Sequence, residues 1–178
     1  MRKYKNVPPQ VQADLERTFP KINTIRYEDN AMLNQWAAIS FFDHWLTKDE
    51  HHLIDNISNN EHFKRRNNYF NFIEKLVDSH EVFTFRMKGR PWNKKRIQFK
   101  SFTNNTNAAE YLKSANYSYS RNAYPVVLIP SCEAVLYEQY DYTSILCFRD
   151  INKVSSILES ADSCNLHIIR GKKTNVDN

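Results

Sequence analysis

The stretch EVFTFRMKGRPWNKKRIQFKSF, Glu81 to Phe102, decides the fold. Up to residue 80 the apolar positions recur with the helical period of about 3.6; from Glu81 they recur with a period of 2. Phe83, Phe85 and Met87 alternate with Thr84, Arg86 and Lys88, and Ile97 and Phe99 alternate with Arg96, Gln98 and Lys100. Gly89-Arg-Pro-Trp-Asn93 supplies turn chemistry between them, so the segment predicts a β-hairpin over 82–102. The chain therefore divides at residue 80 into a helical half and a strand-rich half.

Upstream, Val11, Leu15 and Phe19 at i, i+4, i+8 predict a helix over 10–19, ended by Pro20. A second helix is expected from Asp29 or Asn30, with Leu33, Trp36, Ala37, Phe41 and Trp45 along one face. Thr47-Lys-Asp-Glu50 and Ser58-Asn-Asn-Glu61 have capping-box spacing. They predict a short helix through Ile57 and a longer one to about Asp78, with Phe63, Phe70, Ile73, Leu76 and Val77 facing inward. Downstream, a short helix is expected over 107–115, then strands at Pro125 to Ile129, Ala134 to Tyr137 and Thr143 to Phe148. Asp150 is an N-cap for a helix with Ile151, Val154, Ile157, Leu158 and Ala161 inward, and Leu166 to Ile169 closes the fold as a strand. The expected architecture is one α+β domain over 1–178: mainly helical over 8–80, sheet-rich over 81–170, with a frayed tail over 171–178. The helical N-terminal half would pack on one face of a mostly antiparallel sheet of about five or six strands formed by the C-terminal half.

Composition narrows the function. The chain has 178 residues and only two glycines, Gly89 and Gly171, too few and too isolated for a Walker or dinucleotide-binding loop. No apolar stretch reaches the length of a membrane-spanning helix, and the N-terminal MRKYKNVPPQ lacks the apolar run of a secretory signal. Cys132, Cys147 and Cys164 are odd in number and widely spaced, which fits reduced thiols in a cytoplasmic protein better than a disulfide framework or a zinc site. No cofactor is expected.

The net charge of +5 is unevenly spread. Between Val82 and Ala109 there is no acid, while Arg86, Lys88, Arg90, Lys94, Lys95, Arg96 and Lys100 contribute +7. Taking these seven from the 25 basic residues leaves 18 against 20 acids, so the remainder is −2. Arg86, Lys88, Arg96 and Lys100 fall on the polar positions of the hairpin strands, with Arg90 and Trp92 at the tip. Such a face suits nucleic acid, through phosphate neutralisation and base stacking, and equally an acidic protein partner. A second candidate surface is acidic: Glu133, Glu138 and Asp141 with Tyr140 and Tyr142 around the Glu-Gln-Tyr-Asp-Tyr turn.

Catalytic chemistry finds little support. His44, His51, His52 and His62 lie near Asp43, Glu50 and Asp55, but without the spacing of a zinc site, so no metal is expected. His80 and His167 would serve as acid and base of a ribonuclease only if they converged. Cys132, in Pro130-Ser-Cys-Glu133, has no recognisable histidine partner in the sequence.

The layout of Tyr124 to Ile169 (YPVVLIPSCEAVLYEQYDYTSILCFRDINKVSSILESADSCNLHII) is strand, strand, Tyr-Asp-Tyr turn, strand, helix, strand. It resembles the closing unit of small cytoplasmic immunity proteins of bacterial toxin systems, including contact-dependent growth inhibition. The resemblance implies a non-catalytic antitoxin that binds a cognate toxin and blocks its active site or substrate surface; it carries over no functional residue. The alternative is a nucleic-acid-binding protein using the hairpin over 82–102, with a ribonuclease as the minor enzymatic reading.

Overall fold

A computed structural model of the chain describes residues 3–20, 22, 33, 35–55, 57–89, 96–114, 126–138 and 143–171, with the side chains at 55, 114, 138 and 171 left aside. The elements run β1 (Tyr4–Asn6), α1 (Pro9–Thr18), β2 (Gln35–Ser40), α2 (His52–Asp55), α3 (Asn59–Ser79), β3 (Phe83–Lys88), β4 (Arg96–Phe102), α4 (Asn105–Ser114), β5 (Val126–Ile129), β6 (Ala134–Glu138), β7 (Ser144–Phe148), α5 (Ile151–Asp162) and β8 (His167–Gly171). The fold is α+β. Its single sheet has the order β1-β4-β3-β5-β6-β7-β2-β8, and the neighbours pair antiparallel throughout.

Several local expectations hold for the expected reasons. Pro9 opens α1 at a position whose N–H has no helical partner, and Phe19 ends it with its N–H on the Leu15 carbonyl. Ser58 Oγ accepts from the Glu61 N–H at the start of α3, and Asp150 accepts from the Asn152 N–H at the start of α5. Val154, Ile157, Leu158 and Ala161 of α5 are buried as their spacing requires. Each of the larger three contributes about 1.5–3 kcal/mol to the folded state.

Three expectations are corrected. First, the residues after Asn30 do not form a long helix: Gln35–Ser40 is strand β2, inserted between β7 and β8. Ala37, Ala38, Ile39 and Ser40 are all buried, so the run is covered on both faces. A strand covered on both faces shows continuous apolarity rather than alternation, and periodicity cannot separate it from a buried helix. Trp45, assigned to the inner face of that helix, is 45% exposed and tilts against Trp36 at 5.9 Å. The sheet thus takes two of its strands, β1 and β2, from the N-terminal half.

Second, helices cover both faces. Tyr69, Phe72, Ile73 and Leu76 of α3 pack with Leu112 of α4 and Val154 and Ile157 of α5 against Ala37, Ile39, Val127, Ile129, Leu136 and Leu146. On the reverse face Leu15 and Phe19 of α1, with Ile22 and Leu33, cover Phe83, Phe99, Val126, Leu128 and Val135. Successive residues of β5 and β6 alternate between the two clusters, which is why these strands read as unbroken apolar runs.

Third, Phe63 is 59% exposed while Tyr69 and Phe72 are buried. The 21 residues of α3 span about 31 Å at 1.5 Å per residue, far longer than a strand of five, and its buried residues begin only at Tyr69. Tyr69 brings its hydroxyl to Ser144 Oγ at 2.8 Å, which satisfies both buried groups.

Candidate functional site

The hairpin cations do share one face. In the β3–β4 register Thr84 lies opposite Lys100, Arg86 opposite Gln98 and Lys88 opposite Arg96, and paired residues point to the same side of a sheet. Beyond β4, β1 places Asn6 beside Lys100 and Tyr4 beside Phe102. A chain of side-chain hydrogen bonds crosses the three strands. Arg86 Nε donates to Gln98 Oε1 at 3.0 Å, Gln98 Nε2 to Asn6 Oδ1 at 3.5 Å, and Lys100 Nζ also donates to Asn6. Arg86, Lys88 and Arg96 are exposed and Lys100 is half-buried. Among the described residues, no carboxylate is ion-paired to Arg86, Lys88 or Arg96. Arg90 and Trp92, the expected tip, lie outside the described residues.

The inner end of this face is anchored by α4 and β1. Thr84 Oγ1 donates to the Val126 carbonyl at 2.9 Å and lies 3.2 Å from the Tyr111 hydroxyl of α4. Tyr4 tilts on Phe102 at 5.4 Å and meets the Tyr111 edge at 6.0 Å, leaving Tyr4 37% exposed. Burial, and then the neighbouring Tyr111, hold the Tyr4 phenol above its usual pKa. Further out, β1 pairs only with Lys100 to Phe102, and the described part of β5 begins at Val126. Among the described residues, the outer half of the hairpin is therefore a two-stranded ribbon. On its reverse side Met87, opposite Ile97, is 38% exposed. Gln12 of α1 braces this ribbon from the β1 side: its Nε2 donates to the Ile97 carbonyl at 3.1 Å and its Oε1 accepts from the Phe99 N–H at 3.0 Å. One side chain thus substitutes for the strand that β1 is too short to supply. Nothing in the local pattern around Gln12 marks it for this role.

The expected acidic surface is not assembled in the same way. Glu133 sits in the turn between β5 and β6 with φ 47°, in the left-handed region. Its carboxylate pairs with Arg149 at 3.3 Å and with Lys153 Nζ, and the Lys153 hydrogen bond holds it below the usual carboxylate range. Arg149 also donates to the Thr18 carbonyl at 2.8 Å, which ties the end of α1 to the same turn. Glu133 and Glu138 flank β6 at opposite ends, about 17 Å apart at 3.4 Å per residue. Tyr140, Asp141 and Tyr142 lie outside the described residues, as does the Glu138 side chain.

His80 and His167 do not converge. His80 caps the C-terminus of α3 beside the β5–β6 turn, whereas His167 pairs with Ser40, four strands across and toward the other end of the strands. Cys132, by contrast, does have an imidazole: His80 Nδ1 lies 3.7 Å from its Sγ. The pairing joins residues 52 positions apart, so no sequence window contains it. All three cysteines are free thiols. In the helical half, His44 Nδ1 lies 2.6 Å from Asp43 and Nε2 3.0 Å from Glu50. Those two carboxylates, Asp43 first, raise the His44 pKa. Glu50, held mainly by the Thr47 N–H and then by His44, is lowered to about 2. Among the described residues no group of three or more His, Cys, Asp or Glu is placed to hold a metal ion, and no helix is long and apolar enough to cross a membrane.

No protein-family model, no curated protein sequence and no solved structure matches the chain.

Proposed function

We propose that the chain is a non-catalytic, cytoplasmic binding protein that neutralises an acidic protein partner, as an immunity protein neutralises a bacterial toxin, and that the β3–β4 hairpin is its docking element. One observation carries this reading: among the described residues the hairpin presents Arg86, Lys88 and Arg96 on one side, without ion-paired carboxylates, and a partly exposed Met87 on the other. Arg and Met are enriched in protein interfaces, and cations already oriented by Gln98 and Asn6 lose less freedom on meeting a carboxylate. Met87 favours protein over nucleic acid, because a phosphate backbone has no use for an apolar reverse side.

The test is co-purification with the product of the adjacent gene, followed by Lys88→Glu with Arg96→Glu. The expected outcome is a complex that the double reversal weakens at least about tenfold, equivalent to about 1.4 kcal/mol. No complex at micromolar concentration, or a complex indifferent to the reversal, defeats the proposal.

Tyr4 favours a second reading, in which single-stranded nucleic acid lies on this face. Its partly exposed ring, opposite Phe102 and two positions along the same face from Lys100, would stack a base, a contact of about 1–3 kcal/mol. That reading requires a mobility shift lost with Tyr4→Ala and a salt slope reduced by about 0.7–0.9 for each cation removed. A flat titration at low salt rejects it.

A further inference from the structure

Three heteroatoms meet where the β5–β6 turn passes the end of α3. His80 Nδ1 is 3.7 Å from Cys132 Sγ and 3.4 Å from Ser131 Oγ, and those two atoms are 3.7 Å from each other. Both sides of this triangle are fixed by backbone. His80 is the C-cap of α3, with its N–H on the Leu76 carbonyl at 3.0 Å. Cys132 ends a single 3-10 turn, Pro130–Cys132, and is followed at once by Glu133 in its left-handed conformation, held by the ion pairs to Arg149 and Lys153. A non-glycine residue at such an angle costs about 1–2 kcal/mol, so the turn is maintained against strain.

We propose that Cys132 is a nucleophilic thiol with His80 as its base, and that it is a site of reversible mixed-disulfide formation with small disulfides. The geometry supplies the parts. A thiol within hydrogen-bond distance of an imidazole nitrogen is the arrangement in which the ring can take the thiol proton as the sulfur attacks. Burial lowers the His80 pKa, so the ring is held in its neutral form and takes the proton only during the step rather than as a standing imidazolium. Cys132 is 4% exposed, while Ser131 beside it is exposed and His80 is half-buried.

In the step, the Cys132 proton passes to His80 Nδ1, and the thiolate attacks one sulfur of the disulfide RS–SR. The Cys132–SR bond forms as the RS–SR bond breaks. The departing thiolate takes the proton from the His80 imidazolium, and the small disulfide is the oxidant.

Cys164 is the internal control. It is 5% exposed, and among the described residues no imidazole is hydrogen-bonded to it. If both thiols reacted only through global opening of the fold, their rates would be equal. The experiment treats the folded, full-length protein at pH 7 with the disulfide of mercaptoethanol and follows adducts at each cysteine by peptide mass spectrometry. Cys132 is expected to be modified at least about a hundredfold faster than Cys164, the lower end of what a positioned base contributes. His80→Gln, which keeps bulk but removes the ring base, is expected to abolish that difference, while Ser131→Ala keeps it. Equal rates at the two cysteines in the unaltered protein overturn the proposal whether or not the variants fold. A fast Cys132 that His80→Gln does not slow overturns the role of His80.

Discussion

Lys88→Glu is the substitution that separates a reserved binding face from an ordinary solvated one. Lys88 stands directly opposite Arg96, so the free protein holds two like charges in a cross-strand pair, a destabilising arrangement. Both side chains are exposed, and neither is ion-paired to a described residue. Reversing Lys88 turns the repulsive pair into an attractive one. Cross-strand pairs contribute about 0.2–1 kcal/mol, and exposure keeps the gain at about 0.5 kcal/mol. For a chain of this length each kcal/mol moves the midpoint by about 2–4 °C, so Tm is expected to rise by about 1–2 °C at low salt. Thermal unfolding followed by circular dichroism reads this directly. In 1 M salt, where the screening length is about 3 Å, the gain should vanish. The same variant is expected to bind its acidic partner more weakly. A midpoint that falls by several degrees, or a rise that persists in high salt, would show that Lys88 has a structural role and refute the reasoning.

Gln12→Ala removes two hydrogen bonds to the backbone of β4 and should cost about 1–3 kcal/mol in urea unfolding; Gln12→Glu, which still accepts from Phe99 but no longer donates to Ile97, should fall between. At Glu133, Gly is expected to be less destabilising than Ala by about 1–2 kcal/mol, because both lose the ion pairs while only Gly adopts φ 47° without strain; equal losses would deny the strain. The His44 contribution to stability is present in full below its usual pKa of 6.5 and is lost as pH rises through the raised folded value. Glu50 acts with the opposite sign: its contribution holds above 4.5 and is lost as pH falls toward about 2. An NMR titration should find His44 above 6.5 and Asp43→Asn should bring it down; an unchanged His44 in that variant would count against the pairing.

The hairpin was legible because one of its faces is polar. Alternation survives in sequence wherever a strand meets solvent on one side, and Arg86, Lys88, Arg96 and Lys100 could be assigned to a common face from that alone. β2 failed the same test for the converse reason, since Ala37 and Ile39 meet α3 and α5 while Ala38 lies buried on the opposite face. The second helical layer was hidden because the faces of β5 and β6 are both apolar, and nothing local says which face α1 takes. Glu133 looked like a neighbour of Glu138 because the two are close along the chain, yet a strand lies between them and carries them apart. The Cys132–His80 pair had the opposite fate, being distant in sequence and adjacent in space.

The position of β2 has a kinetic consequence. Trp36 to Ile39 belong to the first quarter of the chain, but both partners of β2 come near the end: Ala37 pairs with Leu146 on one side and with Arg170 on the other. During synthesis this apolar strand must wait for β7 and then β8, and such non-local pairing is slow. A ribosome paused before His167 would present β2 with one edge unpaired, a template for aggregation. Completion of β8 therefore commits the fold as a whole, and deletion of His167–Gly171 should cost far more soluble protein than deletion of Tyr4–Asn6.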